Sequence, residues 1–200
     1  MSIPNVSAAE QSRTARVGAV LFRNRSWLPV PFLLVPLLAP GVQTPTGWLL
    51  AALFIAVGEA LRITGVAAAG NVTRRRSRDV QRLVTYGVFA WMRNPLYVGN
   101  LLIWVGFLVG SGVLWFLPIA LALFAIEYAL IVRYEEGVLE SIFGGEYAAY
   151  KQRTPRWMPR PPGHAERGEH DWGEALRSEL STFAQYAALG AAFWIKARLS

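Results

Sequence analysis

Hydrophobic positions along the chain fall into four long stretches separated by short polar breaks. Residues 26–43 are apolar but short, and Pro29, Pro31, Pro36 and Pro40 interrupt them; each proline removes a backbone donor, so this stretch predicts a kinked helix. Residues 46–69 form a longer run carrying only Glu59 and Arg62 as charges. Residues 96–111 and 113–132 follow, the second broken by Glu127 alone. Gly110-Ser111-Gly112 between them predicts a tight turn, so these two stretches form a helical hairpin. Each stretch approaches the roughly 20 apolar residues that a membrane-crossing helix needs.

Polar residues set the expected orientation. Arg13, Arg16, Arg23 and Arg25 precede the first stretch. Arg74, Arg75, Arg76, Arg78, Arg82 and Arg93 lie between the second and third, while the breaks after the first and third hold no Lys or Arg. Positive charge stays on the cytoplasmic side, which predicts four spans with both termini cytoplasmic. Beyond 132 the fourth helix continues to Phe143-Gly144-Gly145, and a proline-rich connector runs from Pro155 to Gly163. Asp171 with Glu174 resembles a capping box opening a last helix. Leu176, Leu180, Phe183 and Ala187 share one face of it, which predicts a helix lying on or dipping into the cytoplasmic leaflet. The expected parts are a cytoplasmic segment 1–25, a membrane core 26–163 and an interfacial helix 164–200.

Composition agrees with lipid as the main solvent: 54% of the 200 residues are hydrophobic and 16% charged, against roughly 25% charged in a soluble domain. The chain has no cysteine, and His164 and His170 both sit in the polar C-terminal part. That argues against thiolate chemistry, a zinc centre or a histidine triad, and no metal is expected. The net charge of +7 suits anionic headgroups. The arginine run 74–78 lacks the interleaved aromatics of a nucleic-acid surface.

Two clusters carry candidate chemistry. In Arg93-Asn94-Pro95-Leu96-Tyr97-Val98-Gly99, the proline opens the third span and leaves its N-terminal N–H groups free for an anion. Alone, this reads as an ordinary membrane-entry turn. The second cluster, Arg133-Tyr134-Glu135-Glu136, is less ordinary. Adjacent carboxylates on a helix point about 100° apart, so one faces solvent while the other faces a cleft. The hairpin returns both clusters to one membrane face. Within the spans, Glu59 and Arg62 are expected to pair with each other, and Glu127 is expected to line a substrate cleft.

Downstream come Phe143-Gly144-Gly145-Glu146-Tyr147-Ala148-Ala149-Tyr150 and Pro155-Arg156-Trp157-Met158-Pro159. With these, residues 85–160 resemble the integral-membrane methyltransferases that include isoprenylcysteine carboxyl methyltransferases and phospholipid N-methyltransferases. Asn94 stands where the carboxyl methyltransferases usually have histidine. The resemblance implies an all-α membrane bundle that uses S-adenosylmethionine to methylate a lipophilic acceptor at the inner leaflet. It implies Arg93, Asn94, Pro95, Tyr97, Gly99 and Glu136 around the cofactor. Trp157 suits either its adenine or the membrane interface. Arg133 is expected to hold an acceptor carboxylate, and Glu135 to take a proton from an acceptor amine. The alternatives are phospholipid-type N-methylation, a nicotinamide-dependent relative of the sterol reductases, and a membrane scaffold without activity.

Overall fold

The computed structural model describes residues 13–25, 29–70, 82–163 and 167–199. The arginine run 74–78 and His164 lie outside them. Among the described residues the regular structure is entirely helical. The helices are α1 (Arg13–Asn24), α2 (Pro29–Leu38), α3 (Pro45–Ala69), α4 (Val88–Trp91), α5 (Pro95–Ser111), α6 (Leu117–Phe143), α7 (Gly145–Arg153) and α8 (Trp172–Leu199). Of these, α3 and the run ending in α6 are long and apolar enough to cross a membrane, and α5 is a shorter apolar helix. Many of their large apolar side chains face outward, among them Leu49, Leu53, Val57, Leu121 and Ile126, a surface suited to lipid rather than water. The first predicted span contains a helix of only ten residues.

An antiparallel pair, α3 and α5, forms the centre. Its contact is backbone on backbone: a Cβ on Gly58 would lie 2.6 Å from the Gly99 carbonyl oxygen, and a Cβ on Gly99 2.6 Å from that of Gly58. Small residues at such crossings let helices approach closely where lipid leaves no hydrophobic drive between them. Gly99 therefore packs against α3. Pro95, buried one turn earlier, lies 3.8 Å from where a Cβ on Gly65 of α3 would stand.

The hairpin turn forms where expected. Gly112 adopts φ +73°, Ser111 Oγ donates to the Leu108 carbonyl, and the Val113 N–H donates to Ser111 Oγ. At this end α2 covers the turn, with Phe32, Val35 and Ala39 on Leu108, Val113 and Phe116. At the other end of the hairpin, Gly144 at φ +50° stops α6 and starts α7. Helix α1 packs along α6, with Gly18 against Leu130 and the Phe22 ring 5.8 Å from that of Tyr134.

The last helix packs on the bundle through a buried face. Asp171 Oδ1 does accept from the Glu174 N–H at 2.8 Å, as the capping pattern predicts. But α8 lies along α3, burying Ala175, Glu179 and Phe193. Leu176, Leu180 and Phe183, the stripe read as dipping into the leaflet, are exposed on its outer side. The apolar stripe faces away from the protein because Glu179 has a partner inside it.

The Gly58–Gly99 crossing makes a prediction. Gly58→Val or Gly99→Val forces the pair apart and should cost roughly 1–3 kcal/mol or more, read as a lower unfolding temperature in detergent. Gly137→Ala, whose new Cβ would meet nothing within 4 Å, should cost nothing.

Candidate active site

The two clusters meet. Proline at the first position of α5 leaves Asn94 as its N-cap, in a non-helical conformation and without a side-chain capping bond. The Asn94 side chain instead donates to the Arg156 carbonyl at 3.1 Å. Just before it, Arg93 Nε and Nη2 donate to Glu136 Oε1 at 3.2 and 2.9 Å. Arg93 Nη1 donates to the carbonyls of Lys151 and Thr154 at 3.0 and 2.8 Å. These oxygens lie at the C-terminal end of α7, where carbonyls lack helical partners and a cation is favoured. The Arg93 backbone N–H closes the joint on the Pro155 carbonyl at 2.9 Å.

Glu136 also takes Arg156, whose Nε donates to Oε1 at 3.1 Å and whose Nη2 pairs with Oε2. One buried carboxylate therefore sits between two guanidinium groups, and the cluster carries one surplus positive charge. Beside it, burial and the Glu136 charge both push the Tyr147 phenol up. Glu135 points elsewhere. It accepts the Tyr97 hydroxyl at 2.7 Å, and the Tyr97 ring meets Tyr128 edge-on at 4.6 Å. Tyr128 in turn stacks on Phe124 at 4.1 Å. Neither carboxylate is the solvated partner that the sequence pattern expects. The solvated role falls to Glu140, paired with Lys151 at the surface.

Arg133 is exposed and makes none of these ion pairs among the described residues. Arg156 stands at Glu136 instead, in the same late motif as Trp157, which follows half-buried. Glu127 shares the stripe of Leu130 and Tyr134 that meets α1, by helical spacing. It is Tyr128, one residue on, that faces Tyr97. Sequence reading missed Arg156, Asn100 and Tyr128, although each adjoins a residue it singled out. Asn100 Oδ1 accepts from Arg62 Nη1, and its Nδ2 donates to the Tyr128 hydroxyl at 3.3 Å.

The arrangement offers a positive pole at Arg156 and a negative pole at Glu135, on adjacent faces of α6, with aromatic rings beside the negative one. Such a site suits a zwitterion or a soft cation next to an anion.

Comparison with known proteins fits this geometry. The family model described as phospholipid methyltransferase matches residues 46–146, from the start of α3 to just beyond the end of α6. The chain belongs to the phospholipid methyltransferase family. Among curated proteins it is similar to the protein-S-isoprenylcysteine O-methyltransferase of Homo sapiens, 36% identical over 119 residues, covering 54% of this chain and 39% of the human one. It is similar to protein-S-isoprenylcysteine O-methyltransferase B of Arabidopsis thaliana, 37% identical over 113 residues, covering 52% and 55%. It is also similar to the Rattus norvegicus protein, 36% identical over 148 residues, covering 67% and 48%. The chain thus spans about two fifths to just over half of the length of these relatives. No solved structure matches it.

The Arg93–Glu136 joint is testable by itself. Both side chains are nearly buried, at 10% and 9% exposure. Removing one partner, as in Glu136→Leu, should cost about 3–5 kcal/mol, because two arginines then lose their counter-charge. Arg93→Lys should also destabilise, since a point charge cannot serve Glu136 and two carbonyls at once. Arg156→Ala, at a side chain 45% exposed, should cost at most about 1 kcal/mol. Thermal unfolding in detergent distinguishes the three.

Proposed function

We propose that this chain is an integral membrane methyltransferase that uses S-adenosylmethionine to methylate the carboxylate of a lipophilic acceptor. One observation carries the reading. The start of α5 and the Glu135–Glu136 pair, separated in sequence by a whole hydrophobic hairpin, converge into one charged and aromatic site. Family membership and the names of the similar proteins support it.

The donor set fits the cofactor. Its methionine carboxylate would lie toward the uncapped N–H groups that open α5. Its ammonium and sulfonium would lie toward Glu135 and the ring of Tyr97, and Trp157 would cover the adenine. S-adenosylmethionine, when bound, supplies an electrophilic methyl group. The protein's own task is alignment and exclusion of water. A carboxylate acceptor arrives already deprotonated and needs only a cation to orient it, a role that Arg156 takes in place of Arg133. Tyr128 and Phe124 extend the apolar wall toward the membrane interior, along which a lipid-like tail fits.

The bilayer placement follows the charge pattern, with Arg93, Glu136 and α7 at the cytoplasmic face. Helices α3, α5 and α6 each cross the membrane. The first hydrophobic stretch contributes α2, which runs beside α5 to the Gly112 turn, where residues 39–44 lead into α3.

A second reading has its own support. Glu135 beside Tyr97 and Tyr128 also suits an acceptor amine, whose proton Glu135 would take. Transfer of labelled methyl to a prenylated cysteine analogue and to phosphatidylethanolamine separates the two, and the carboxylate is the expected acceptor. Titration calorimetry with S-adenosylmethionine should show binding by the wild type. Glu135→Ala and Tyr97→Ala should each weaken it by about tenfold or more, equivalent to about 1.4 kcal/mol. Binding unchanged in both variants would remove the basis for the proposal, as would binding of NADPH in its place.

A further inference from the structure

Along α8 the neighbours advance in step with α3, in the reverse direction. The Asp171 N–H donates to the Ala67 carbonyl at 2.9 Å. Ala175 packs on Val66 and Ala67. Glu179 takes Arg62 Nη2 on both oxygens, at 3.0 and 3.1 Å. The Tyr186 hydroxyl donates to Glu59 Oε2 at 2.9 Å. At the far end, Gln43 Nε2 donates to the Phe193 carbonyl at 2.9 Å, and Lys196 Nζ to the Pro36 carbonyl at 2.7 Å. The helix therefore begins at the Arg93 end of the bundle and finishes beside the Gly112 turn. Its 28 residues span about 42 Å at 1.5 Å each, more than the roughly 30 Å of a hydrocarbon core.

The side chains agree with this path. From Ser178 to Ile195 the sequence carries one charge, Glu179. That residue is fully buried against Arg62, which also lies 3.4 Å from Glu59. The outer side shows Leu180, Phe183, Trp194 and Ile195. A helix resting on a leaflet keeps a charged face in water, whereas here the one charge between the helix ends faces the protein. Charges return only at the two ends, with Asp171, Glu174 and Arg177 before and Lys196 and Arg198 after. The Arg198 guanidinium lies 4.9 Å from the Trp194 ring centre, a pairing at home at a membrane interface. Hydropathy undervalues this segment because Glu179 and Gln185 count as exposed polar residues, although the first is neutralised inside the bundle.

We propose that α8 crosses the bilayer as a span of its own, fastened to α3 by the buried Glu59–Arg62–Glu179 cluster, and that its C-terminal end emerges on the face opposite Arg93 and Glu136. The proposal does not depend on methyl transfer; it needs only that α3 crosses the membrane. It replaces the expectation of two cytoplasmic termini. Intramembrane charges are tolerated where they pair inside the bundle, and here the pairing determines which side of α8 faces lipid.

The chain has no cysteine, so single cysteines report topology without background. Val42→Cys marks the turn end, Gly163→Cys the connector before α8, and Leu199→Cys the end of α8. Each full-length variant is expressed in bacteria and treated with a membrane-impermeant maleimide before and after permeabilisation. Leu199→Cys is expected to react in intact cells together with Val42→Cys, while Gly163→Cys reacts only after permeabilisation. Leu199→Cys reacting only together with Gly163→Cys would overturn the proposal and restore a leaflet-bound helix. Should Leu199→Cys fail to accumulate, Ala197→Cys, exposed on the same turn, gives the same reading. Loss of methyltransferase activity with the expected labelling pattern would count against the reaction alone.

Discussion

A carboxylate taken out of water costs several kcal/mol unless its lone pairs and charge are met inside the protein. Glu136 meets that condition with two guanidinium groups, from opposite sides in sequence: Arg93 before the hairpin and Arg156 after it. Arg93 in turn has its remaining donors on the carbonyls that end α7. The entry to α5, the cytoplasmic part of α6, the end of α7 and the proline-rich connector are thereby held at one point. Burial of Met92, Pro95, Tyr147 and Tyr150 packs the same segments together. The charge cluster and the backbone bonds around it hold these segments together, and with them the position of Tyr97 against Glu135.

The two carboxylates illustrate how one helix turn separates structure from chemistry. Successive side chains on α6 diverge by about 100°, so Glu136 enters the arginine joint while Glu135 reaches toward α5. Glu136 is fully engaged and has little left to offer a ligand. Glu135 takes one hydroxyl from Tyr97 and retains acceptor capacity beside aromatic faces. A carboxylate beside a phenol donor and π surface is suited to a soft cation.

Much of this was legible in the sequence. The hairpin could be read because Gly110-Ser111-Gly112 admits a positive φ where α5 must stop, and a hairpin necessarily brings its two ends together. The end of α6 showed in Gly144, and the start of α8 in the Asp171–Glu174 spacing. Other features depend on partners far away in sequence. Gly99 lies in a motif that invites a ligand, but its close neighbour is Gly58, which no local pattern reveals. The apolar stripe of α8 looks the same whether it faces a leaflet or a lipid belt. The difference lies in Glu179, whose partner Arg62 is more than a hundred residues away. Arg133 was the cation expected from the sequence, whereas the fold of the connector brings Arg156 to Glu136.

The placement of Asn100 links the α8 cluster to the site. Arginine can only donate, so the Asn100 oxygen must face Arg62 and its amide nitrogen must face the Tyr128 hydroxyl. The amide is thus fixed in one orientation, and it fixes Tyr128 at the end of a donor chain that begins at Arg62, which also donates to Glu179. Tyr128 lies edge-on to Tyr97, whose hydroxyl reaches Glu135. The charge pairing that docks α8 is therefore separated from Glu135 by one amide and two rings, all packed between α3, α5 and α6. A low-dielectric interior strengthens each of these polar contacts and penalises leaving any of them unmade. The same burial that holds the last helix against α3 also limits the positions open to the aromatic wall of the site.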